Sequence, residues 1–321
     1  MILTRRSLML GAAALAVLPV LAQDRRRLVI VTGGTGGVFY PYGGGLAKIL
    51  SERMPNTQAT AQVTGGSVDN VKLLSEGEAD IGFSTIDSAY DGFTGTGAYG
   101  EDGPQNIRLI ARLYDSFLHV VTAESSGIDS VAAMKGKRVS VGSAGSSTES
   151  IADRMLAAAG LDPKSDVTRD NLSVSESVGA LADGKIDAFF WIGGLPTAAV
   201  KDLAAAGQTK LRFIGTTMEM AVLKTRYPNL YQDAVMPAGT YAGQDYDVPG
   251  LGVANVLIVS ADAGDALVSD ILTCIFDNLD AVHAIHPEAA GLALAGAYVK
   301  TTVPWHPAAE AFFAARGASA P

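Results

Sequence analysis

One short pattern occurs twice in this chain. Leu74, Gly77, Asp80 and Phe83 are matched by Leu181, Gly184, Asp187 and Phe190, each 107 positions further on. Upstream of each set lies a Gly-rich loop, residues 33–41 (GGTGGVFYP) and 143–147 (SAGSS), with Gly36 and Gly145 set 109 positions apart. Turn chemistry alone accounts for an Asp between a helix and a strand. Four positions at one offset, together with matched loops, favour two α/β lobes instead. A length of 321 residues is enough for roughly two domains, each able to bury its own core.

The local signals agree between the two copies. Residues 28–32 read as a buried strand that runs into the first Gly-rich loop and then a helix to about Arg53. Residues 57–64 alternate like a strand. Gly65, Gly66 and Ser67 then open a helix with Val68, Val71 and Leu74 on one face, stopped at Gly77. Residues 79–84 form a second buried strand. In the later copy, residues 138–142 are a strand, followed by a helix with Ile151, Met155 and Ala159 inward and Gly160 at its end. Ser146 with Glu149 three residues on is a capping-box signature. A helix over residues 175–182 ends at Gly184, and a strand over 186–191 follows.

The strand-like run 117–123 leaves the first lobe and the apolar run 252–260 returns to it. The expected division is therefore residues 23–118 with 258–321 as one lobe and 119–257 as the other, with two extended crossings as a hinge. Residues 237–249 read as a loop, and a helix is expected around 265–283.

The N-terminus reads as an address. Arg5 and Arg6 precede an apolar run over residues 8–22 that is short for a membrane span, and a small residue, Ala22, ends it. This is the pattern of a cleaved export signal of the Sec or twin-arginine type, placing the mature chain in the periplasm. Its removal takes two Arg and no acid, so the formal charge moves from −9 to −11.

That charge argues against nucleic acid as a partner. The single Cys, Cys274, excludes an internal disulfide and sits in an apolar pattern expected of a buried thiol. The first Gly-rich loop is not a dinucleotide fingerprint, because Phe39 stands where the third Gly is needed. The second lacks the Lys of a phosphate-binding loop. No G-x-S-x-G and no H-E-x-x-H occurs. His119 lies in an apolar run, and His283 and His286 have no acidic or Cys partner at ligand spacing, so neither a catalytic residue nor a metal or other cofactor is expected.

What remains is the property shared by strand-to-helix turns rich in Gly and Ser. They leave backbone N–H groups free at a helix N-terminus, where the helix dipole favours an anion. Candidate ligand contacts are Thr35, Gly36, Gly37 and Tyr40 in the first loop, Gly66 and Ser67 in the second, and Ser143, Ser146, Ser147 and Thr148 in the third. Thr85 and Asp87 follow a strand whose C-terminal end faces the crevice, and Asp87 could receive an ammonium group or cap a helix. Phe190 and Trp191 could pack on a ligand or in the core. Because the chain is acidic, local donors rather than long-range attraction must supply affinity for an anion.

The segments TGGTGGVFYPYGGGLA, TAQVTGGSVDNVKLLSEGEADIGF, MKGKRVSVGSAGSSTE, IDAFFWIGGLPTAAV and PAGTYAGQDYDVP, in this order, resemble the TAXI family of TRAP-transporter solute-binding proteins over residues 27–312. The resemblance implies a two-lobed α/β fold of the type II periplasmic-binding-protein kind, with a central cleft and two hinge-crossing strands. It also implies delivery of a small organic anion to integral membrane TRAP permease subunits; separately, a monomer is expected. The ligands it implies are acidic amino acids such as glutamate, or dicarboxylates such as 2-oxoglutarate. Carried over by position, the family's cleft loops fall on residues 35–40, 66–67, 85–87, 143–148 and 190–194, the last adding Gly194. One departure stands near Thr85, where the family more often carries an amide. A periplasmic receptor for a signalling kinase and an exported enzyme acting on a small acid are the other readings.

Overall fold

The computed structural model describes residues 25–318. The N-terminal segment read as an export signal lies outside the described residues. The first half of the chain runs β1 (Arg26–Val31), α1 (Phe39–Arg53), β2 (Thr57–Gln62), α2 (Ser67–Ser75), β3 (Ile81–Thr85) and α3 (Ile86–Thr94). A long strand, β4 (Ile107–Ala123), leads to β5 (Arg138–Ser140), α4 (Ser147–Ala158), β6 (Thr168–Asp170), α5 (Val174–Ala182) and β7 (Ala188–Gly193). Next come α6 (Ala198–Ala206), β8 (Leu211–Phe213), α7 (Thr217–Arg226), β9 (Gln232–Met236) and a second long strand, β10 (Val248–Ser260). The chain closes with α8 (Asp265–Phe276), α9 (Leu279–His283), α10 (Leu294–Ala297) and α11 (Pro307–Ala315).

The strands form one sheet in the order β2-β1-β3-β10-β4-β7-β5-β6, with β8 beside β4 and β9 beside β10. β1 pairs in parallel with β2 and β3, and β5 pairs in parallel with β6 and β7. The unit β-α-β-α-β is thus built twice. The two units meet through antiparallel pairings: β3 with β10, β10 with β4, and β4 with β7. This is the α/β periplasmic-binding-protein fold of type II, with a mixed sheet and crossing strands.

The repeated residues do the same work in both units. The Asp80 carboxylate accepts from the Val29 amide at 2.7 Å, and the Asp187 carboxylate accepts from the Arg138 amide at 2.8 Å. Val29 and Arg138 stand at the offset of the Gly-rich loops, 109. Each Asp therefore ties the start of its strand to the neighbouring parallel strand. Gly77 and Gly184 follow α2 and α5 at φ +76° and +67°, the left-handed turn that ends a helix at little cost only for Gly. Phe83 and Phe190 are both buried, each burial contributing about 1.5–3 kcal/mol.

The crossing strands are longer than the sequence pattern suggested. β4 begins ten residues before Phe117, and its N-terminal part pairs with β10, while residues 117–122 pair with β7. β10 pairs with β9 through Val248–Gly252 and with β3 through Asn255–Ile258. The helix expected over 265–283 is two helices, α8 and α9, broken at Asp277 and Asn278.

Candidate functional site

α4 begins where its sequence directs. The Ser146 hydroxyl accepts from the Glu149 amide at 3.2 Å, while Glu149 reaches back to the Gly145 amide at 3.3 Å. At α5 a complete capping box forms, Ser173 with Glu176. The N-caps of five helices, Val38 (α1), Gly66 (α2), Thr85 (α3), Ser146 (α4) and Ser173 (α5), all line one cavity between the two halves. Its volume is about 50 Å³. None of its lining residues is Asp, Glu, Lys, Arg or His.

Acids occupy the first turns of α2, α3, α4 and α5, namely Asp69, Asp87, Glu149 and Glu176. All four lie outside the cavity lining. Glu149 pairs with Arg169, and Asp87 with Arg154 at 3.3 Å. Asp69 takes the Gly65 amide at 3.0 Å, and burial pushes its carboxyl above the ordinary range.

Two buried polar atoms of the cavity wall have no partner among the described residues, Oγ1 of Thr85 and Oδ1 of Asn255. Both residues are fully enclosed, and they are cross-strand partners on β3 and β10. An amide thus does stand beside Thr85, supplied by the facing strand. Its orientation is fixed. The nitrogen of Asn255 lies 3.1 Å from the Tyr114 carbonyl, which only accepts, and 2.8 Å from the Ser116 hydroxyl. The amide oxygen is left over.

Walls of the cavity come from Val38, Phe39, Tyr114, Val174, Trp191 and Ile192. Trp191 is held by a chain of hydrogen bonds. Its Nε1 donates to the Thr197 hydroxyl at 2.9 Å, the Thr197 amide donates to the Tyr241 hydroxyl at 2.8 Å, and that hydroxyl lies 2.7 Å from Nε2 of His119. Nδ1 of His119 is 3.1 Å from the Phe117 carbonyl, so Nδ1 carries the proton and Nε2 accepts. Burial lowers the His119 pKa to about 4. His119 is therefore a neutral support of the cavity wall.

The halves touch closely around the cavity. The Gly145 carbonyl accepts from the Val68 and Asp69 amides, both at 3.1 Å. A Cβ on Gly145 would collide with the Asp69 carboxylate, and its φ of +75° is itself unfavourable for other residues. A Cβ on Gly37 would come within 2.9 Å of the Trp191 ring. On one side of the seam the Leu195 amide donates to Glu288 at 2.7 Å. On the other, Arg154 of α4 meets Asp87 and Asp91 of α3 and donates to the Tyr231 hydroxyl.

Of the candidate residues, the structure brings Gly37, Gly66, Ser67, Thr85, Ser143, Ser146, Ser147, Thr148 and Trp191 to the cavity. Thr35 is exposed, and Gly36 faces Ser175 of α5 rather than the cavity. Tyr40 is half-buried off the lining. Phe190 packs in the core. Gly194 lies against Glu288 at the seam, and Asp87 lies off the cavity lining, its Oδ2 accepting from Arg154 and Tyr231 and its Oδ1 buried without a partner among the described residues. Sequence reasoning missed Asn255, Tyr114, Ser116 and Ser173. The one available signal was Asn255 itself, a lone amide in the apolar run of β10.

Comparison with solved structures places the fold. The chain resembles a binding-protein component of an ABC phosphonate transporter from Pseudomonas aeruginosa at 12% identity and TM-score 0.54, covering 83% of this chain and 79% of that one. It also resembles a protein of Bordetella bronchiseptica RB50 at 18% identity and TM-score 0.53, covering 91% and 90%. A family model described as the NMT1-like family matches residues 30–317.

Proposed function

The chain belongs to the NMT1-like family, and on that footing we propose that it is an extracytoplasmic solute-binding protein that captures a small organic anion and hands it to a membrane transporter. The convergence of five helix N-termini on one cavity carries this reading. Each N-terminus brings about half a unit of positive charge to the cavity wall. The hydroxyls of Ser67, Ser147 and Thr148 add further hydrogen-bonding groups. A cavity of this kind favours an anion without any arginine or lysine in its wall.

Capture follows from the crossing strands. Bending at β4 and β10, with residues 23–118 and 258–321 moving against 119–257, would open the cavity to solvent. A ligand drives closure to the extent that it binds the closed form better than the open one. The closed seam, rather than the ligand alone, is then what a permease recognises. The segment resemblance to the TAXI family favours a TRAP-type permease driven by an ion gradient, and the N-terminal pattern favours export to the periplasm.

The test is uptake into membrane vesicles holding the cognate permease. Transport of a radiolabelled organic anion is expected to need this protein and a sodium or proton gradient, with no requirement for ATP. ATP-dependent uptake would replace the TRAP assignment with an ABC system. Failure of every organic anion to raise the melting temperature would overturn the binding function, since a ligand at ~100 times its Kd adds about 2.7 kcal/mol.

A further inference from the structure

We infer, resting on the anion-capture reading, that the guest of this cavity is a small monocarboxylate with a hydrogen-bond donor near its carboxylate, a short hydroxy acid, and not a dicarboxylate or an α-amino acid. Three independent features lead there.

The first is size. The cavity, at about 50 Å³, is small, which favours a three- or four-carbon acid over a longer one. Glutamate and 2-oxoglutarate are bulkier guests and press harder on contacts such as Gly145 with Val68 and Asp69.

The second is charge. Five helix ends supply a nominal two to three positive charges at about half a unit each. Acids in four of the five first turns subtract from that; Arg154 meets Asp87 but also Asp91, and Arg169 meets Glu149 but also Asp153. Asp69 and Glu176 are met by the backbone amides of Gly65 and Ser173. What remains is a modest positive field with no cation in the lining. A second carboxylate would be buried without a counter-charge, and so would an ammonium group, since no acid lines the cavity.

The third is the orphan acceptor. Oδ1 of Asn255 is buried and has no partner, and the Tyr114 carbonyl forbids turning the amide around. A buried acceptor is costly unless a donor reaches it. The adjacent Thr85 hydroxyl is also unpartnered and can either donate or accept. A hydroxyl group on the ligand satisfies the Asn255 oxygen, whereas a methylene or a keto oxygen leaves it bare.

Isothermal titration of the purified protein with L-lactate, glycolate, 2-hydroxybutyrate, pyruvate, propionate, succinate, 2-oxoglutarate and L-glutamate tests this. The best hydroxy acid is expected to bind about tenfold or more tighter than its keto and deoxy counterparts, with no binding of succinate or glutamate at that concentration. Thr85→Val removes a hydroxyl on which no protein group depends, and it is expected to weaken hydroxy-acid binding while leaving the melting temperature of the free protein unchanged. Asn255→Leu is expected to abolish the preference for hydroxy over deoxy acids. Tighter binding of glutamate or a dicarboxylate than of every hydroxy acid would overturn this inference and leave anion capture standing. So would equal affinity for lactate and propionate. Binding of amines or neutral solutes with no response to any carboxylate would instead overturn the anion reading beneath it.

Discussion

The guanidinium of Arg154 on α4 lies 3.3 Å from the carboxylate of Asp87 on α3, and the pair spans the seam between the two halves with side chains no more than 9% exposed. Asp91 and the Tyr231 hydroxyl complete the cluster, and the Tyr227 ring covers the guanidinium at 4.1 Å. Burial opposes the charge on Arg154, yet Tyr231, Asp87 and Asp91 together hold its pKa above the ordinary value. Removing one partner of such a buried pair leaves the others uncompensated. Arg154→Met is therefore expected to cost about 3–5 kcal/mol in urea denaturation and to expand the molecule in solution scattering. Adding Asp87→Asn and Asp91→Asn should recover part of the loss. A variant within about 1 kcal/mol of the wild type would remove this cluster as a determinant of closure.

His119 makes stability depend on pH. Its folded pKa of about 4 lies below the ordinary 6.5, so the unfolded chain takes up a proton first as pH falls. Stability is full above pH 6.5, declines below it, and the loss is complete near pH 4, on the order of 3 kcal/mol in all. His119→Gln keeps a polar group in the chain to Tyr241 and cannot titrate. Melting curves of the two proteins are expected to converge in that window, and parallel pH profiles would exclude His119 as the cause.

Gly145 meets Asp69 at backbone distance. Gly145→Ala is expected to leave the fold intact but to oppose closure, at a conformational cost of about 1–2 kcal/mol plus the collision. Ligand affinity should fall by roughly tenfold or more, with the radius of gyration no longer shrinking when ligand is added. Unchanged affinity would mean that the two halves do not need this contact.

Trp191 and Trp305 are the two tryptophans of the chain. Trp191 lines the cavity, whereas Trp305 packs with Tyr298 and Phe313 in the C-terminal cluster. Quenching or enhancement of fluorescence by ligand should vanish in Trp191→Phe and persist in Trp305→Phe. Trp191→Phe also takes a donor away from the Thr197 hydroxyl, costing about 1 kcal/mol in stability.

The fold was legible where a residue acts on its near neighbours in sequence. Asp80 and Asp187 close the same turn in the two units, and Gly77 and Gly184 end the same helix, so their spacing survived as a pattern. The Ser146 and Ser173 helix starts are local too, although only the first was read from sequence. Asn255, Tyr114 and Arg154 were not legible as site or seam residues, because their partners lie on other elements. Asn255 meets Thr85 across 170 positions of chain, by strand pairing alone. Asp87 looked like a ligand contact because it begins a helix at the crevice. The packing of α4 against α3 sets Arg154 against its Oδ2, a contact that no local pattern signals.

The two longest strands each belong to both halves at once. Neither half can be cut out of this chain with its sheet complete, because β4 and β10 would have to be severed midway. Calorimetry of the intact protein should therefore give a single cooperative heat-absorption peak, and fragments divided at residue 118 should refold only when mixed.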